Sequence, residues 1–409
     1  MKPEKIAVGM VGLGLAARSH VKGYQSHPNA EVAAVCDLDL ERAKRFASEH
    51  GIPHVYTDYE SMLADSVINV INVATPTYLH VPMTKQALMA GKHVHSEKPF
   101  CCSVGEGLGA CALARQNGLK LVVGETYVFI TSHMKARELI EAGEIGRPLQ
   151  IRQRHGAWIE RTHGAVYSVP ADRSWRIDPF KSGGGGFPWI FDHAVHFFAS
   201  AEYLMLDTPV AEIYAVAARD RSVAKRSGAA HDPYTSAEVD IPIITWKFAD
   251  PARQGVWMRA ERLNGKYDYM QGFSTTIIGE TGVIEVLGEG GGNLFWEGRQ
   301  QHLVLHREGK ETRCFRFDEG GDEVWQSDIC YYSRGHIRQV QHLVDCILRD
   351  EEPRYSGENG VHAVQCTLAA IRSAIEGRPV RLDEIEPDYA ASAQWPSLGN
   401  GPLAEGGTS

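Results

Sequence analysis

Three residues of this 409-residue chain have the types and spacings needed to take a proton from a hydroxyl group. Asp192 and His196 are four apart in the run Asp192-His-Ala-Val-His196, so on a helix both side chains leave the same face. An imidazole titrates near neutral pH and can act as a general base. A carboxylate can orient or tune it, directly or through shared contact with a substrate. The pair has two plainer readings: an incidental salt bridge on a helix face, or a metal site with His193. A zinc site with an open position needs three protein ligands. The sequence nominates no third, so acid–base chemistry is expected and a metal is not. Lys98 is the remaining residue of the three. It follows His93-Val-His-Ser96 in the run Glu97-Lys98-Pro99. That places it at a strand end, and parallel sheets bind ligands at their carboxyl edge. Most lysines face solvent, but Pro99 fixes the backbone here and the strand end aims the side chain into the cleft.

The first third of the chain predicts such a sheet. Ile6 to Val11 reads as a buried strand, and Gly12, Gly14 and Ala17 then match a G-x-G-x-x-G/A turn. Gly12 permits the turn, Gly14 lets backbone approach a pyrophosphate, and Ala17 lets the helix pack closely. The helix opening at Leu15 and Ala16 offers N–H groups and a positive dipole end to phosphates. Lys2, Lys5, the apolar run and Leu15-Ala16-Ala17 also resemble a secretory signal with a cleavage site. The next segment favours the nucleotide turn: Glu31 to Asp37 is a second strand, which cleavage would leave without its partner. Asp37 ends it about twenty residues beyond the glycines, where an acid holds the adenosine ribose. A 2′-phosphate carries roughly −1.5 to −2 charge, so an acid there favours NAD over NADP, with nearby Arg42 softening the repulsion.

Strand and helix signals then alternate. A helix is expected at Leu40–Glu49, a strand at Val55–Tyr56 and a helix capped by Asp58. Val67–Ala74 reads as a strand, Val81–Ala90 as a helix, Gly105–Gln116 as a helix and Lys120–Gly124 as a strand. This rhythm means a doubly wound parallel sheet. After about Tyr127 the texture changes. A helix at Thr131–Ala142 precedes strand signals at Leu149–His155, Ala211–Ala217, Ala237–Phe248, Gly255–Arg262, Phe273–Gly279, Gly282–Leu287 and Gln301–His306. Strands without intervening helices predict an antiparallel sheet. Gly288–Gly292 and Gly320-Gly321 suggest hairpin loops, and Leu398–Ser409 a loose tail. A net charge of −9 without Lys/Arg runs argues against nucleic acid. No stretch approaches the roughly 18 apolar residues of a membrane span. Eight scattered cysteines without C-x-x-C suit a reducing cytosol, so a cytoplasmic location is expected.

Together, Gly12-x-Gly14, Asp37, Ala74-Thr75-Pro76-x-x-x-His80, Ala90-Gly91-Lys92-His93-Val94 and Glu97-Lys98-Pro99 resemble the glucose–fructose oxidoreductase / inositol dehydrogenase (Gfo/Idh/MocA) family. The resemblance continues through Trp175-Arg176-x-Asp178-Pro179-x-x-Ser182-Gly183-Gly184-Gly185, Asp192-x-x-x-His196 and the closing helices in Ile337–Leu382. It implies a Rossmann domain over 1–126, then an α+β domain with an open, mostly antiparallel sheet over 127–409 that forms a homodimer or homotetramer. It implies an NAD-dependent oxidoreductase acting on a sugar, sugar derivative or cyclitol, with Lys98, Asp192 and His196 catalytic. Gly12, Gly14, Leu15, Ala16, Asp37, Thr75, Pro76, His80, Glu97 and Lys98 would bind the cofactor, and Trp175, Arg176 and Tyr127 would line the substrate pocket. The glycines at 183–186 are expected to let backbone approach nicotinamide or substrate. Two alternatives stay open: glycoside cleavage through recycled bound NAD, and a non-catalytic sensor of NAD or sugar. The chain departs from the family pattern at His193, Ala199 and Gly124-Glu125-Thr126-Tyr127, which bears on the substrate more than on the reaction.

Overall fold

Six short runs, most of them rich in apolar residues, form one sheet: β1 (Ile6–Val11), β2 (Ala30–Cys36), β3 (His54–Tyr56), β4 (Val70–Val73), β5 (His93–Glu97) and β6 (Leu121–Gly124). The computed structural model describes residues 5–155, 175–176, 178–220, 239–259, 274–287, 302–317 and 331–394. The six strands pair in parallel in the order β3-β2-β1-β4-β5-β6. The strand order reverses between β1 and β4, and the crevice above such a switch point is where a ligand binds. The intervening helices are α1 (Leu15–Gln25), α2 (Leu40–His50), α3 (Tyr59–Leu63), α4 (Thr77–Met89) and α5 (Val104–Gln116). Their ends carry the expected local chemistry. The Asp39 side chain accepts from the Arg42 N–H at the start of α2, Asp58 caps α3, and Ser103 with Glu106 forms a capping box on α5.

Two boundaries in this sheet and its helices differ from expectation by three residues or more. β4 begins at Val70 rather than Val67, whose side chain is exposed. α4 begins at Thr77 rather than Val81, because more than a turn of helix forms ahead of Pro82 instead of the proline marking its start. A proline inside a helix forfeits one backbone hydrogen bond, and here the helix continues regardless.

The remaining strands are β7 (Pro148–His155), β8 (Val210–Asp220), β9 (Val239–Phe248), β10 (Gln254–Arg259), β11 (Ser274–Gly279), β12 (Gly282–Leu287), β13 (His302–Arg307), β14 (Arg313–Arg316) and β15 (Val380–Arg381). They form a second sheet, ordered β14-β13-β12-β11-β7-β10-β9-β8-β15. Every pair is antiparallel except β7 with β10. The sheet is thus mostly antiparallel, as expected, with one parallel pair where β7 enters the middle of a sheet whose other strands come later in the chain. Four helices accompany it: α6 (Thr131–Glu141), α7 (Pro188–Leu204), α8 (Tyr331–Arg349) and α9 (Gly357–Glu376). α7 lays Phe197 and Phe198 on this sheet, against Trp257 (ring centroids 4.7 Å apart) and Trp246 (5.2 Å). That packing sets the rotation of the helix that carries Asp192 and His196.

α8 lies late in the sequence but packs on the first sheet's layer. Its Val340, Leu343 and Val344 share one core with Ile6, Val8, Met10, Val21 and Tyr24. α1 and α8 approach so closely that a Cβ on Gly23 would lie 2.9 Å from the Ile337 carbonyl oxygen. Among the described residues no disulfide forms, and no helix is long and apolar enough to cross a membrane. The expected hairpin glycines and the tail from Leu398 lie outside the described residues.

Candidate active site

The glycine turn has the geometry its residues predict. Gly12 has φ +81°, and a Cβ there would sit 2.7 Å from the Ala74 carbonyl group at the end of β4. Gly14 starts α1 in an extended conformation with no side-chain cap and open space around it. The first N–H groups of α1, at Leu15 and Ala16, are thus left for a phosphate. Asp37 ends β2 beside this turn. Its Oδ2 accepts from the Leu13 N–H at 3.0 Å and its Oδ1 from the Asp39 N–H at 2.9 Å. Arg42 stands 3.5 Å away. A carboxylate has about four lone-pair sites, so Asp37 can hold the turn and still receive ribose hydroxyls. An open helix start, a glycine-only turn and a strand-end acid together fit a dinucleotide.

Thr75 and Pro76 lead from β4 into α4, on the same edge. His80 is placed differently from expectation. It is 1% exposed, with Nδ1 2.8 Å from the Pro99 carbonyl oxygen and Nε2 2.7 Å from that of Thr75. Both ring nitrogens face backbone oxygens, to one of which the neutral ring donates, so His80 links the loop after β4 with the loop after β5. Burial pushes its imidazole below the usual range. Glu97 also points away from the crevice: Oε2 accepts from the Lys98 N–H at 3.2 Å, and Oε1 turns toward His20 (3.1 Å).

At the reacting end the structure brings Lys98, Asp192 and His196 together from β5 and α7. Lys98 Nζ lies 3.2 Å from Asp192 Oδ1 and donates to the Asp192 carbonyl oxygen at 2.9 Å. Arg176 stands 3.6 Å from Asp192 Oδ2 and His193 stands 3.8 Å from it. Burial alone would raise the Asp192 carboxyl, but Lys98, then Arg176 and the two histidines, hold it well below the usual range. Asp192 is therefore an ionised carboxylate gripping Lys98.

The carboxylate bonded to His196 is a different one. Glu125, 1% exposed, places Oε1 2.7 Å from His196 Nδ1 and accepts the Tyr127 N–H at 3.0 Å. With Nδ1 held, Nε2 is the nitrogen positioned for proton transfer. The sequence reading assigned the orienting role to Asp192 and noted Glu125 only as a departure from a pattern. The missed signal was its position, one residue past β6: a strand-end acid, like Asp37. Tyr127 is buried with its ring 4.9 Å from that of His196, so it packs behind the imidazole. Arg176 lies against the Trp175 ring at 5.4 Å as well as near Asp192. The glycines at 183–185 answer to packing. A Cβ on Gly183 would meet Phe191 at 2.8 Å, and one on Gly185 would run into the Ala391 carbonyl.

Beneath Lys98 lies a buried group of His20, His95, Glu97, His336 and Gln339. Burial would raise the Glu97 carboxyl, but the imidazoles of His20, His336 and His95 reverse this and lower it. Burial holds the imidazole of His336 down at about 3.

A parallel sheet with a phosphate turn, set against a helix presenting His196 beside Lys98, defines a dinucleotide-dependent oxidoreductase. Residues 6–125 match the NAD-binding Rossmann fold of the GFO_IDH_MocA oxidoreductase family, and 137–382 match its C-terminal alpha/beta domain. The chain belongs to this family and is an NAD(P)-dependent dehydrogenase. It is 26% identical to scyllo-inositol 2-dehydrogenase (NAD(+)) of Bacillus subtilis over 93% of this chain and 97% of that one. It is 24% identical to myo-inositol 2-dehydrogenase of Thermotoga maritima over 92% and 99%. Levoglucosan dehydrogenase, solved with NADH and levoglucosan, shares the fold with a TM-score of 0.73 at 21% identity, over 92% of this chain and 99% of that one.

Proposed function

We propose that the protein oxidises a secondary hydroxyl of a sugar, sugar derivative or cyclitol, or reduces the corresponding ketone, with NAD preferred over NADP. The observation that carries this reading is the buried Glu125–His196 pair beside the Lys98–Asp192 pair, at the carboxyl edge of the dinucleotide sheet. His196 takes the hydroxyl proton, and Glu125 fixes the ring and stabilises the imidazolium that results. Lys98, steadied by Asp192, donates a hydrogen bond to the hydroxyl oxygen and favours its negative charge. Bound nicotinamide supplies the acceptor for the carbinol hydrogen. Asp37 supports the NAD preference by repelling a 2′-phosphate. The inositol dehydrogenases among the relatives support the cyclitol end of the substrate range. Exposed Tyr214, Val216, Ile243 and Met258 on β8–β10 support assembly as a homodimer or homotetramer through the second sheet.

The test is nicotinamide absorbance with NAD or NADP and a panel of cyclitols, free sugars and glycosides, with His196→Ala alongside. Reduced cofactor accumulating with one polyol, faster with NAD and absent in the variant, is the expected result. Aglycone release without net reduction, or silence across the panel with NAD bound, would overturn the reading.

A further inference from the structure

The buried group beneath Lys98 has a geometry that its hydrogen bonding does not explain. His20 comes from α1, Glu97 from the end of β5, and His336 and Gln339 from successive turns of α8. All four are at least nine-tenths buried. One donor atom each from His20, Glu97 and His336 lies within 4.8 Å of the others. His20 Nε2 is 3.1 Å from Glu97 Oε1, and His336 Nδ1 is 3.9 Å from it. The Gln339 amide nitrogen is 3.2 Å from both His20 Nε2 and His336 Nδ1.

Two oxygens in this group have no hydrogen bond of good direction. They are Glu97 Oε1, despite its short approach to His20, and Gln339 Oε1. A half turn of the Gln339 amide exchanges its nitrogen and oxygen and sets a carbonyl oxygen against both imidazoles. Four lone-pair donors then cluster, three of them within 4.8 Å of one another: two imidazole nitrogens and a carboxylate oxygen, joined by an amide oxygen. Zinc bonds of about 2.0–2.1 Å place tetrahedral ligands about 3.3–3.4 Å apart. The contacts of 3.1, 3.2, 3.2 and 3.9 Å bracket that spacing. In a plain hydrogen-bonded network, either His20 Nε2 carries the proton and meets the Gln339 donor, or it accepts from Gln339 and Glu97 Oε1 is left without a well-directed donor.

We propose that His20, Glu97, His336 and Gln339 form a structural zinc site that pins α8 to α1 and β5. It would close a loop of more than three hundred residues and fix the strand end from which Lys98 projects. Neither His196 nor the nucleotide turn belongs to it, so the proposal stands apart from the reading of function.

The test uses the full-length chain, stripped with a chelator, given a zinc salt and gel-filtered. Bound zinc is then counted by mass spectrometry and the thermal midpoint recorded. The wild type should retain about one zinc per chain and melt higher with it. Gln339→Leu and the His336→Leu, Gln339→Leu double variant should lose both effects while keeping their far-ultraviolet circular dichroism. Zinc retained at full occupancy in the double variant would overturn the proposal, as would failure of the wild type to hold it. Glu202, His362 and Cys366 form a second cluster of possible ligands. Cobalt(II) discriminates between the two even if the double variant does not fold. A wild-type spectrum with tetrahedral bands and no thiolate charge-transfer band supports this site. A thiolate band abolished by Cys366→Ser overturns it.

Discussion

Glu125→Gln keeps the shape of the side chain and removes its charge. Glu125 is buried, its Oε1 is 2.7 Å from His196 Nδ1, and the Tyr127 N–H at 3.0 Å fixes that oxygen in place. When His196 takes up a proton, an imidazolium forms against this carboxylate. Unit charges about 4 Å apart at an effective dielectric near 20 interact by about 4 kcal/mol. A hydrogen bond to a charged group contributes about 1.5–3 kcal/mol. Glutamine retains an acceptor oxygen, so the loss lies at about 2–4 kcal/mol, and kcat/KM falls about 30- to 1,000-fold. Initial rates of nicotinamide reduction on the substrate that the panel identifies test this loss. NAD titration checks that the cofactor site is intact. A rate loss below about threefold would refute the assignment of Glu125 to His196.

Three further outcomes are expected. Gly12→Ala forces a side chain into φ +81° and against Ala74. A cost of about 1–3 kcal/mol weakens NAD binding about 5- to 150-fold in a fluorescence titration; unchanged affinity would contradict the turn geometry. His80→Leu removes the N–H that one of the two facing carbonyls, Thr75 or Pro99, accepts. At about 1–3 kcal/mol for the orphaned group, scanning calorimetry should show a drop in Tm, and an unchanged Tm would dismiss the tie. His93 accepts the Lys120 N–H on Nδ1, and burial, then Lys120, pushes its imidazole down to about 4. The unfolded chain therefore binds the extra proton first. Stability is full above the ordinary 6.5 and drains as pH falls toward about 4, by at most about 1.4 kcal/mol per pH unit. His93→Gln should flatten that slope in thermal melts, and parallel slopes would refute it.

The first sheet was legible because each strand is a short apolar run closed by a breaker, and Gly12, Gly14 and Asp37 fall at fixed distances from one another. Lys98, Asp192 and His196 were legible as residue types at a strand end and on one helix face. Their partners were not. Helical spacing says that Asp192 and His196 share a face, but not which carboxylate crosses from another element to reach the imidazole. His80 looked like a ligand because it lies four residues past Pro76, yet its ring turns inward to backbone oxygens. β14 and β15 went unread, β14 because its arginines mask the strand pattern and β15 because two residues carry no periodicity. The parallel β7–β10 pair depends on which strands become neighbours, information spread over more than a hundred residues.

The placement of α8 bears on how the chain comes into being. The helix that follows the phosphate turn rests, through Val21 and Tyr24, on Val340, Leu343 and Val344. During synthesis the nucleotide-binding half emerges first, but the surface that seals its first helix leaves the ribosome some three hundred residues later. The half made earliest is thus completed among the last, and until then its α1 presents bare apolar surface of the kind that chaperones recognise.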